Sequence, residues 1–236
     1  MSTSRLPLVA LLAFAGCATS PPGRGLVALA RVNFILSFTQ GVAFFFPSQP
    51  EPAPIGPCSF RRTSGQPTDA GVPGLASAGP ITFAGLQIPL TLVPDGNHGY
   101  AGQAQGRTFE AGDAITISAV GADVPPFSAD LTAPAKVATQ APNSLSRGGD
   151  TTITWTPDGR ARQFRVFVLG TSGILDCSFD PNRGTATVPA EALDQFDPGD
   201  KVQLVPATAD SRTLELTGWR VEALVVQADD YTSGTL

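Results

Sequence analysis

The chain has 236 residues with 15 basic and 20 acidic side chains, a formal charge of −5 at pH 7. No basic run is longer than Arg61-Arg62, so the concentrated positive footprint that nucleic-acid binding needs is missing. Glycine and proline make up about a fifth of the chain, more than usual but short of a disordered composition. With 42% hydrophobic residues, this predicts packed cores built from short strands and frequent turns.

Residues 1–5 carry one arginine, residues 6–15 are uncharged and apolar, and Gly16-Cys17 precedes a polar stretch. A charged start, an apolar run and small residues at the cut describe a secretory signal peptide over residues 1–16. The apolar run, about ten residues, is roughly half of what a bilayer-spanning helix needs. Phe14-Ala15-Gly16-Cys17 resembles the lipobox of bacterial lipoproteins, although Phe14 departs from the usual leucine. The resemblance implies that Cys17 is acylated and becomes the first mature residue. Residues 17–25 then read as a lipidated tether.

A first β domain is predicted over residues 26–133. In residues 26–38, Val32, Phe34, Leu36 and Phe38 alternate with Arg31, Asn33, Ile35 and Ser37, the period of a half-buried strand. Residues 42–46 form a second apolar strand, and the five prolines of 47–57 exclude helix or central strand. Residues 61–78 read as a surface loop. Strands follow at 81–83, 86–93, 108–119 and 127–131, with Pro89 placing the second at an edge or bulge. Asp95-Gly96-Asn97-His98-Gly99 reads as a hairpin turn.

A domain boundary is placed at residue 134, ahead of a weakly apolar stretch ending in Gly148-Gly149. Strands are expected at 152–157, 163–169, 174–179, 185–188, 202–205, 213–217 and 219–226, with a short helix at 190–196. Seven strands about ten residues apart predict an antiparallel sandwich. Ala141-Pro142, the strand of Ile153 and Trp155, and the alternating Phe164, Val166 and Val168 resemble the opening of a fibronectin type III or Ig-like domain over 134–236. The resemblance implies a core position for Trp155. The fold class expected is therefore all-β, with two antiparallel sandwich-like domains behind a signal peptide. The layout also resembles uncharacterised two-domain β envelope lipoproteins, a likeness that brings no activity with it.

Reactive chemistry is sparse. His98 is the only histidine, no Gly-x-Ser-x-Gly string occurs, and Cys-x-x-Cys is absent, so neither a nucleophile–base pair nor a zinc set is predicted. Asp95, Asp180, Asp197, Asp200 and Asp229 lie in turns and read as turn-formers rather than calcium ligands. No catalytic, metal or cofactor residues are expected. Besides Cys17, only Cys58 and Cys177 remain, each within Cys-Ser-Phe; an exported chain can join them, or bury them as free thiols. The sequence thus reads as a non-catalytic envelope lipoprotein, with the outer membrane favoured over the inner. Its expected partners are the membrane and an envelope protein or glycan. The alternative is a secreted or surface carbohydrate-active enzyme or its accessory module. A sensor with a pocket between the domains is a third.

Overall fold

The computed structural model describes residues 23–33, 37–47, 52–62, 75–106, 108–229 and 231–236. The signal peptide, Cys17, most of the tether, Phe34 and Leu36 lie outside the described residues. The chain begins with β1 (Gly23–Asn33), β2 (Ser37–Phe46), β3 (Pro54–Ile55) and β4 (Cys58–Arg62). It continues through β5 (Ile81–Ala84), β6 (Leu90–Leu92), β7 (Tyr100–Gln105), β8 (Ala114–Ala119) and β9 (Phe127–Thr132). Beyond residue 134 come β10 (Thr139–Gln140), β11 (Thr151–Trp155), β12 (Gln163–Gly170), β13 (Gly173–Phe179) and β14 (Thr185–Val188). A one-turn helix, α1 (Ala190–Leu193), precedes β15 (Lys201–Leu216), β16 (Trp219–Ala228) and β17 (Thr232–Thr235).

The protein is all-β, and one sheet runs through both halves of it. Its order is β3-β4-β13-β12-β15-β16-β1-β2-β7, with β17 also paired to β15. A four-stranded sheet, β6-β5-β8-β9, covers one end, and a three-stranded sheet, β10-β11-β14, covers the other. Strands from both sides of the boundary placed at 134 share the long sheet: β4 pairs with β13, and β1 with β16.

The second sandwich has the three-on-four order of a fibronectin type III/Ig-like unit. Its first, second and fifth strands (β10, β11, β14) form one sheet; β13, β12, β15 and β17 form the other. Trp155 and Ile153 of β11 pack with Phe164, Val166 and Val168 of β12, Leu175 of β13 and Leu193 of α1. The first sandwich sets Ile81, Phe83, Leu92, Ile115 and Ile117 against Val27, Leu29, Phe45 and Tyr100. It also takes in Val221, Ala223 and Val225 of β16, so the last part of the chain completes the first core.

That contribution departs from the sequence expectation. Instead of separate strands at 202–205 and 213–217, β15 is one 16-residue strand whose outer half forms a long hairpin with β16. Pro206 does not end it. The Pro206 carbonyl accepts from Asp229 N on the β16 side (2.9 Å), and a residue's N–H and C=O point to the same side of an antiparallel strand. The donor that proline lacks therefore faces Asp229, at the changeover between β17, paired to 201–204, and β16, paired from Ala207 onward. The strand forfeits only the one reciprocal bond at the end of the β16 ladder and continues through it. The returning β16 lies parallel to β1, whereas only antiparallel pairing was expected.

Several boundaries also shift. Residues 23–25, read as tether, begin β1, and its two glycines stand where a side chain would crowd: a Cβ on Gly23 would sit 2.6 Å from the Trp219 ring and one on Gly25 2.4 Å from the Phe45 ring. Arg61 and Arg62, read as loop, end β4. The 86–93 and 108–119 strands shorten to β6 and β8, and β6 is an edge strand, in keeping with Pro89. The turn at 95–99 carries the chain from β6 to β7, which belong to different sheets, so it is a crossover and not a hairpin.

Candidate functional site

Alternation along a strand sends every second side chain to the face away from the two cores. On β12, Phe164, Val166 and Val168 enter the second core, so Arg165 points the other way; Asp176 does the same between Leu175 and Cys177. On β16, Val221 and Ala223 enter the first core and Glu222 faces outward. Arg61 of β4 stands opposite Ile174 of β13, on the face that carries Asp176.

These outward side chains meet because the sheet coils. Arg165 is in register with Ala207, and Ala207 with Ala228. Glu222 lies six residues back along β16, so a flat sheet would separate it from Arg165 by about 20 Å along the strands and about 10 Å across them. Yet Arg165 Nη2 donates to Glu222 Oε1 at 2.6 Å, and Nη1 to Asp176 Oδ2 at 3.1 Å. The β15–β16 arm therefore curls over the outer face of the second sandwich and makes that face concave.

Arg165 is the centre of the cluster, with its side chain only 10% exposed. One guanidinium bridges two carboxylates, which offsets the cost of burying it. The cluster is not closed: Arg165 Nε, Arg61 Nε and Asp176 Oδ1 are buried and have no hydrogen-bond partner. Burial raises the Asp176 carboxyl above its ordinary value and nearby Glu222 adds to this, while Arg165 and Arg61 pull it down. Beside the cluster lies a concavity of about 160 Å³, lined by Arg24, Leu26 and Phe46 from the N-terminal strands, by Arg61, and by Arg220 and Glu222 from β16.

The sequence-derived site residues divide clearly. Cys58 and Cys177 form a disulfide. They face each other in the β4–β13 register, and Ser178 N donates to Pro57 O (3.0 Å). That bond marks the two cysteines as a non-hydrogen-bonded pair, the closer of the two antiparallel arrangements; their Cα atoms are 3.9 Å apart. The bridge fixes the strand carrying Arg61 to the one carrying Asp176. Cys17 lies outside the described residues.

His98 takes a left-handed backbone conformation (φ 62°) in its turn, and its Nδ1 lies 2.7 Å from the Leu75 carbonyl oxygen. The acidic turns bond their own surroundings. Asp95 accepts from the amides of Asn97 and Gly99, and Asp180 from that of Asn182. Asp200 accepts from Ser172 and, next in weight, from Thr171, bonds that lower its carboxyl despite burial. Among the described residues no group of three or more His, Cys, Asp or Glu side chains could hold a metal ion.

The arginine–carboxylate cluster is not evident in the sequence, where its signal is faint. Arg165, Asp176 and Glu222 are each single charges flanked by apolar residues within a strand. On a strand solvated on one face, such charges are ordinary. Only the coiling of the sheet, a long-range property, converts them into a cluster.

No family model matches the chain. No curated protein matches it either. Among solved structures it is similar to the crystal structure of chicken CNTN1 FN1-FN3 domains, at 5% identity and a TM-score of 0.26, covering 92% of this chain and 68% of that one.

Proposed function

We propose that the protein is a non-catalytic cell-envelope lipoprotein, anchored through acylated Cys17 and favouring the outer membrane, that binds an envelope protein or glycan. The observation that carries this reading is mechanical. One sheet passes through both sandwiches, and the Cys58–Cys177 disulfide ties the proline-rich N-terminal connection to the second. The result is a stiff body suited to presenting a surface. Both sandwich interiors are filled by apolar side chains. The concavity beside the charged cluster, about 160 Å³, is smaller than the roughly 300–1,000 Å³ typical of pockets that enclose a substrate. At that concavity, recognition of part of a ligand fits better than enclosure of a whole substrate. A carbohydrate-active role fits best in its accessory form, with a glycan as the bound partner.

The test is fractionation together with mass spectrometry of the mature N-terminus. Acylated Cys17 in the outer-membrane fraction, and loss of the Cys17→Ser variant from membranes, are the expected results. A mature N-terminus at another, unmodified residue would overturn the anchor.

A further inference from the structure

We infer that the concavity between β1, β4 and β16 is a binding site for an oxyanion carried on a larger ligand: a carboxylate, phosphate or sulfate group. The inference deepens the binding role proposed above and rests on it, but not on the lipid anchor. Three guanidinium-bearing side chains, Arg24, Arg61 and Arg220, line it from three different strands, with Glu222 as the only carboxylate in the lining.

The charges around the site do not all cancel. Arg165 already engages Glu222 and Asp176, and Arg220 Nε lies 3.1 Å from Glu215. Arg61 forms no close ion pair among the described residues and acts on Asp176 only at longer range, and its buried Nε has no hydrogen-bond partner. The Arg61 side chain lines the concavity, where the other N–H groups of its guanidinium can meet an incoming oxyanion. Arginine also suits this task because its planar fork donates two parallel bonds to carboxylate or phosphate oxygens.

Size and polarity narrow the ligand further. A concavity of about 160 Å³ suits a charged group and the part of a larger ligand that carries it. Leu26 and Phe46 form an apolar wall beside the arginines, where the carbon skeleton next to the anionic group would lie. An acidic polymer or conjugate of the envelope has this chemistry. The disulfide contributes by holding β4, and hence Arg61, against β13.

The experiment is calorimetric titration of the purified full chain, in detergent at fixed ionic strength, with inorganic phosphate, galacturonate and neutral galactose. Saturable binding of at least one anion, without binding of galactose, is expected. Phosphate alone assigns a phosphate or sulfate ligand, and galacturonate alone assigns a carboxylate. Arg61→Gln should weaken the binding about tenfold or more, as loss of a charge-assisted hydrogen bond predicts, and Arg61→Lys should weaken it less. Arg183→Gln, remote from the site, should bind as the wild type does. If Arg61→Gln fails to fold, Arg24→Gln decides in its place. The inference is overturned if neither anion saturates the wild type, if galactose binds equally, or if the folded Arg61 or Arg24 variant binds unchanged. Membrane release of Cys17→Ser would be unaffected by any of these results, so the two proposals fail separately.

Discussion

The indole of Trp155 lies flat on the ring of Phe164, with centroids 3.7 Å apart and planes 8° from parallel. The contact joins the two sheets of the second sandwich, β11 in one and β12 in the other. Trp155 is buried, and its Nε1 donates to the Pro181 carbonyl at 2.7 Å. Trp155→Ala removes both interactions and leaves a void, so it should cost roughly 3–5 kcal/mol. Trp155→Phe keeps an aromatic ring but loses the hydrogen bond and some volume, and should cost clearly less. Chemical denaturation of the two variants checks this ordering; an Ala variant as stable as wild type would contradict the core placement.

This part of the fold was legible in the sequence because it is local. Period-two alternation in β11 and β12 points Trp155 and Phe164 inward whatever the partner strands are. The β15–β16 arm was not legible in the same way. Only 202–205 and 213–217 of β15 read as strand, with 206–212 left between them, and nothing local shows that the strand runs on through Pro206 at the cost of a single bond at the end of a ladder. The pairing of β16 with β1 spans nearly the whole chain, a long-range choice that alternation alone does not encode. The arginine cluster depends on that pairing and inherited its obscurity. The disulfide was legible for a simpler reason: with Cys17 set aside, two cysteines allow one pairing.

Gly25 offers a test of the β1–β2–β16 packing. An added Cβ would lie 2.4 Å from the Phe45 ring and 3.2 Å from Val221, and Phe45 is fully buried. Gly25→Ala should therefore destabilise the protein by about 1–3 kcal/mol through overpacking. Gly96, with nothing within 4 Å of an added Cβ, is the control, and Gly96→Ala should change stability by less than about 0.5 kcal/mol. Thermal melts of both variants decide it. Equal melting temperatures would mean that the start of β1 does not pack against Phe45.

Asp176 makes a prediction about pH. Burial raises its folded carboxyl above the unfolded value, with Glu222 in support and Arg165 and Arg61 opposing. The folded state then holds the proton more tightly than the unfolded state does. The contribution of Asp176 to stability is fully present below its unfolded pKa and is lost as pH rises through the raised folded value. The difference in unfolding free energy between wild type and Asp176→Asn should therefore fall as pH rises from the ordinary aspartate value toward neutrality. Denaturation of both proteins across that range measures it. A difference that grows with pH would mean that Arg165 outweighs burial.

The last prediction concerns the bond between Cys58 and Cys177, which are 119 residues apart in sequence. A cross-link closing so long a loop restricts the unfolded chain strongly, and the chain-entropy account gives about 4–5 kcal/mol. The double variant Cys58→Ala/Cys177→Ala leaves the β4–β13 register and its backbone ladder in place, so the loss should come mainly from the freed unfolded chain. Thiol titration of the unreduced, unfolded wild-type protein should find neither cysteine free. Denaturation should then show the double variant, or the reduced wild type, less stable by about that amount. The position of the bond adds a local consequence. β4 is joined on one side to β13 and on the other only to the two-residue β3, so without the bridge it is held by one short ladder. Hydrogen exchange in residues 58–62 should therefore rise more than in β12 or β15, which are paired on both sides. Uniform loss of protection across the sheet would mean instead that the bridge stabilises only the whole fold and does not hold the strand carrying Arg61.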